Sequence, residues 1–217
     1  MFLGHFGLAL AAKRVARKPS LGTLFAAAQL PDIVWPVLLA TGVEQVAIDP
    51  AATPVTPLRF VSYPFSHSLL AMTLWGTAFG LAYFLRSRDR RGAFVIFGLV
   101  LSHFVLDVIV HVPDMPLWPG NSPSLGLGAW HSRPLTLLLE GTFFLGGLWL
   151  YATATAPKDL VGRVGLTGLA VLLGIFYGMA FLGPPPPNLP TLVRMSILGA
   201  VLLVVLGAWV DRHRAPL

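Results

Sequence analysis

The chain has 217 residues, 55% of them hydrophobic and only 11% charged, with a net charge of +6. A soluble domain carries about 25% charged residues, so a water-facing globule is excluded, and a mean hydropathy of +0.75 places lipid against the apolar faces. Cysteine is absent, which excludes disulfides and thiolate metal sites. The first basic residues, Lys13 and Arg14, follow the apolar start instead of preceding it, the reverse of a secretory signal.

Residues 2–16 predict a short apolar helix, either a steep span or a half-span tucked against a bundle. Residues 21–40 are long enough to cross a bilayer, but Pro31 and Asp32 in the middle predict a kink, because proline frees a carbonyl one turn back. A connection over 41–64 comes next, studded with Pro50, Pro54, Pro57 and Pro64. Spans are expected over 65–85 and 92–111, separated from those at 134–152, 162–183 and 190–210 by a second long connection, 112–133. Trp118 and Trp130 place that connection against the membrane interface. The fold class expected is therefore all-α: a polytopic transmembrane helical bundle, one domain over 1–217, with six or seven spans and one kinked helix near residue 31. Residues 1–152 carry the unusual polar groups, and 153–217 supply two scaffold helices. Gly76–Gly80 and Gly174–Gly178 read as small-residue pairs that let helices approach closely.

If the helices alternate, twelve basic residues share one side: Lys13, Arg14, Arg17, Lys18, Arg86, Arg88, Arg90, Arg91, Lys158, Arg163, Arg212 and Arg214. The positive-inside rule makes that side, and the C-terminus, cytoplasmic. The same distribution accounts for the net charge without nucleic acid, for which no motif is present.

Ionisable groups inside a membrane are costly, and their default reading is functional. His103, Asp107 and His111 are spaced four apart on one predicted helix, so they form a stripe on one face. Two histidines four residues apart on a helix can bind one metal; here Asp107 stands at that spacing from each histidine, and the three make a ligand set suited to zinc or another divalent ion. The alternative is a hydrogen-bonded stripe that only joins helices. His5, His67, Asp32 and Glu140 fall at similar depth, and His131 lies in the second long connection. Five of the six histidines thus belong to the outer half, with His213 left in the basic tail.

Four fragments carry a resemblance: Gly4-His5, Leu30-Pro31-Asp32-Ile33, Ser66-His67-Ser68-Leu69-Leu70, and Leu101-Ser102-His103 through Asp107. In this order they resemble the membrane-bound metal-dependent hydrolase family of YdjM-like bacterial inner-membrane proteins, over roughly the first 120 residues. Two places depart from the family pattern. Val34 stands where a second acid often follows the Pro-Asp, and Ser62 to Pro64 lack the histidine and arginine that often precede the histidine fragment. A metal ligand or substrate contact present in other members is therefore either absent here or supplied by His111, His131 or Glu140. The order His5, Asp32, His67, His103, Asp107 is also similar to the ligand order of secreted zinc-dependent bacterial phospholipases C. That resemblance implies one ion on His67, His103 and Asp107, a second shared by His5 and Asp107, Asp32 as general base, and a further ion on His111, His131 and Glu140.

The function expected is a zinc-type hydrolase of the bacterial cytoplasmic membrane, with its site facing outward. It would act on an ester or phosphoester of a lipid or lipid-linked substrate, with Asp32 or Glu140 taking the proton. The metal ligands expected are His5, Asp32, His67, His103, Asp107 and His111. The alternative is a divalent-metal or proton-coupled transporter using the same groups, which requires a polar path to the other side.

Overall fold

A computed structural model describes residues 1–217. At the centre of the bundle lies α1 (Leu3–Val15), which buries Leu3, Phe6, Ala9 and Leu10. Its 13 residues reach about 20 Å at 1.5 Å per residue, short of the roughly 30 Å of a hydrocarbon core. It is the half-span of the two readings. Two short helices come next, α2 (Leu21–Ala28) and α3 (Leu30–Ala40), bent by 56° at a break over Gln29. Ser20 caps α2 by accepting the Thr23 amide, and Pro31 near the start of α3 needs no amide partner there. The kink expected near residue 31 is therefore a break between two helices.

A helix expected from residue 65 is also broken. A single turn, α4 (Pro64–His67), stops at the extended Ser68, whose hydroxyl accepts the Ala71 amide and starts α5 (Leu69–Ser87). The remaining helices are α6 (Arg90–Val110), α7 (Arg133–Ala154), α8 (Leu160–Leu182) and α9 (Leu189–Arg212). Five helices are long and apolar enough to cross a membrane, or six spans if α2 and α3 count as one. Three two-stranded antiparallel pairs add to this: β1 (Gln45–Ile48) with β2 (Leu58–Ser62), β3 (Met115–Pro116) with β4 (Ser124–Leu125), and β5 (Thr155–Pro157) with β6 (Arg214–Pro216). The first two lie in the long proline-rich connections.

Close approach is set by glycine. A Cβ on Gly7 would collide with the Phe143 carbonyl, and one on Gly147 with the Gly7 carbonyl, so α1 and α7 cross backbone to backbone. Gly76 and Gly80 face Phe97, Val100 and Ala93 of α6, as expected of a packing pair. Gly174 and Gly178 correct the expectation. They have no atom within 4 Å of where a Cβ would stand, because they lie on the outward side of α8.

The basic end of the bundle is tied by a buried network. Lys13 donates to Asp211 at 2.6 Å and to the Pro19 carbonyl, while the Tyr151 hydroxyl donates to the other Asp211 oxygen at 2.8 Å. These bonds join α1, α7 and α9. Arg214, also buried, donates to the Thr155 and Gly162 carbonyls and to the Thr155 hydroxyl, holding β6 to β5.

Candidate metal centre

The unusual polar residues converge at the opposite end, inside the bundle. His5 comes from the first turn of α1, Asp32 from the start of α3, His67 from α4, and His103 and Asp107 from α6; His111 caps the C-terminus of α6. The imidazoles of His5 and His103 stack in parallel with ring centres 3.7 Å apart. Two ligand groups result, His5–His103–Asp107 and Asp32–His67–His103, with His103 common to both. His103 Nε2 lies 3.0 Å from Asp107 Oδ2 and 3.8 Å from Asp32 Oδ2. His67 Nε2 is 3.3 Å from Asp32 Oδ1, and His5 Nε2 is 3.1 Å from Asp107 Oδ1. The Met1 amine also reaches Asp107.

What sets this cluster apart is the side of each ring that faces away from it. The break between α2 and α3 leaves the Ala28 carbonyl without a backbone donor, and His103 Nδ1–H donates to it at 2.7 Å. Glu44, buried in the turn between α3 and β1, accepts the Phe65 and Ser66 amides and the Ser66 hydroxyl, the last at 2.6 Å. A hydroxyl has one proton, so Ser66 Oγ can only accept from His67 Nδ1–H, 2.7 Å away. His111 Nδ1–H donates to Asp114 at 2.9 Å, and the Tyr63 hydroxyl donates to the same oxygen at 2.8 Å. Burial beside Asp114 pushes the Tyr63 phenol up, which keeps it a donor. Each of the three rings thus donates through Nδ1 and turns its Nε2 inward. Outer partners of this kind fix the tautomer of metal-ligating histidines.

The other expected residues stand apart. His111 Nε2 is 3.9 Å from Asp107 Oδ2, at the rim of the cluster. Each oxygen of Glu140 accepts a backbone amide at 2.8 Å, one from Phe2 and one from Gly4, so this acid caps α1. His131 is exposed on a short 3-10 turn and joins neither ligand group. Glu44, Ser66, Tyr63, Asp114 and the Ala28 carbonyl are partners that sequence reasoning misses. Asp114 stands three residues after His111, a spacing that does point to it; Glu44 has no such signal.

Access is one-sided. The Asp32 side chain is 41% exposed, whereas those of His5, His67, His103, Asp107 and His111 are at most 4% exposed. Toward the basic end, Leu10, Leu21, Leu24, Phe25, Ile96 and Val100 form a dry layer below the cluster. At the other end, Gly128 in left-handed backbone lets its amide donate to the His111 carbonyl, while the Leu127 amide donates to Val108. The second connection is thereby folded over the end of α6.

No match was found among curated proteins or among solved structures. The family model described as YdjM inner membrane protein matches residues 1–184, which contain every residue of the cluster and its outer partners. With that match across most of its length and its apolar spanning helices, the chain belongs to the YdjM inner membrane protein family and is a multi-pass protein of that membrane.

Proposed function

We propose that the cluster holds divalent metal, zinc by its nitrogen and oxygen ligands, and that the protein is a membrane-embedded hydrolase of ester or phosphoester bonds in lipid or lipid-linked substrates. One observation carries the metal reading: Nε2 of His103 and His67, their protons committed to the far side of each ring, face Asp107 and Asp32 at 3.0 and 3.3 Å. A lone pair against a carboxylate is repulsive unless a cation lies between them. Protonated imidazoles would balance the same carboxylates, and metal analysis separates the two.

His5, His103 and Asp107 would hold one ion, and Asp32, His67 and His103 form the alternative or second set. A bound ion would lower the pKa of water to about 7 and polarise the scissile group. Asp32, the exposed member, would meet an entering water and take its proton, a role its exposure supports, whereas each Glu140 oxygen is engaged by a backbone amide of α1. The dry layer below the cluster supports hydrolysis over transport, which needs a polar path. Exposed Trp118, Leu125 and Leu127 on the connection above it support a substrate at the lipid interface. The twelve basic residues support a cytoplasmic basic end and an outward-facing site.

The test is elemental analysis of the detergent-purified chain beside His103→Ala and Asp107→Ala, and then turnover of lipid phosphoesters. Stoichiometric zinc, manganese or iron, lost in both variants, is the expected result. A folded preparation that takes up no metal when it is supplied would overturn the reading.

A further inference from the structure

The basic end carries charge that the fold does not use. Lys13 and Arg214 are tied into the buried network, and Lys158 donates to the Arg212 carbonyl. Arg14, Arg17, Lys18 and Arg91, by contrast, make no side-chain hydrogen bond and no ion pair, and all four are exposed. They come from two separate corners, the end of α1 with the turn after it and the start of α6, yet line one cavity of about 300 Å³, whose single acid is Asp89. Arg14 and Arg17 also line an adjoining cleft beside Thr153 and Ala154. Charge placed only to orient spans needs no such convergence, since any position in the loops serves that end.

We propose that this cavity binds the phosphate of an anionic phospholipid from the leaflet at the basic end. Guanidinium forks match phosphate oxygens two at a time, and basic pockets between spanning helices suit anionic headgroups. The apolar surroundings favour a lipid over a free anion. Val15, 49% exposed, lines the cavity itself. Phe94 lies three residues beyond Arg91 on the same face of α6 and is 73% exposed, so an acyl chain below the headgroup meets an aromatic ring. The inference is independent of the metal centre, which lies beyond the dry layer.

Native mass spectrometry of the full chain, titrated with phosphatidylglycerol and with phosphatidylcholine, tests it. The wild type should retain phosphatidylglycerol selectively, and Arg14→Gln/Arg17→Gln/Arg91→Gln should bind it about a hundredfold more weakly, near fivefold per charge removed. Arg163→Gln/Arg212→Gln, at the same end but outside the cavity, should bind as the wild type does. Equal loss in that control would reduce the effect to general surface charge and overturn the proposal. Displacement of the lipid by millimolar inorganic phosphate would overturn the lipid assignment in favour of a soluble anion. If the triple variant does not fold, Arg91→Gln alone should still lose about fivefold, and no loss there sinks the idea.

Discussion

A serine hydroxyl that donates to a carboxylate has only lone pairs left for its other neighbours, and Ser66 is in that position. With its proton on Glu44, it receives Nδ1–H of His67 and fixes which nitrogen faces Asp32. Ser66→Ala should leave the helices intact but weaken metal binding by about 10- to 100-fold, the usual effect of losing an outer partner, measured by competition with a chromogenic chelator. His131→Ala, at an exposed position, should leave affinity unchanged. The inward-facing groups are legible in the sequence because charge in an apolar run is conspicuous. Their outer partners are not: Glu44 sits in a polar turn where acids are ordinary, and a backbone carbonyl such as that of Ala28 has no signature at all.

At the scale of the helix, the α1–α7 crossing and the outward face of α8 make opposite demands on the same residue type. Gly7→Ala places a methyl against the Phe143 carbonyl and should destabilise the protein by about 1–3 kcal/mol, the cost of overpacking. Gly174→Ala meets nothing and should be neutral or stabilising by up to about 1 kcal/mol through helix propensity. Thermal unfolding in detergent measures both. Spacing alone favours Gly174–Gly178 as a contact and passes over Gly7 and Gly147, since no two glycines of α1 or of α7 stand four residues apart. The spans themselves are legible from their length and hydropathy, whereas the breaks at Gln29 and Ser68 depend on where individual amides find acceptors.

The start of α8 carries a pH dependence. Asp159 accepts a hydrogen bond from His213 at 2.7 Å and caps the helix through the Gly162 amide, and both hold its carboxyl below the usual carboxylate range. A depressed carboxyl stabilises the fold above its unfolded pKa and loses that contribution as pH falls through the folded value. The melting temperatures of wild type and Asp159→Ala should therefore differ at neutral pH and converge in acid. A gap that stays constant into acid would assign the difference to something other than this titration.

For the molecule as a whole, two poles separated by apolar packing are its main division: ligand groups at one, basic residues at the other. The absence of native cysteine makes orientation directly measurable. In intact cells, Leu127→Cys should react with a membrane-impermeant maleimide, and Arg88→Cys only after the membrane is permeabilised. The reverse pattern would place the candidate site on the cytoplasmic side.

The bend between α2 and α3 has a mechanical consequence. In one continuous helix the Ala28 carbonyl would receive the Asp32 amide, but here it receives His103 instead. The bend leaves this carbonyl free of a helical amide and presents it to the His103 ring. The same bend starts a new helix at Leu30 and so sets Asp32 in its first turn beside His67, which makes one break in the chain the support of both ligand groups.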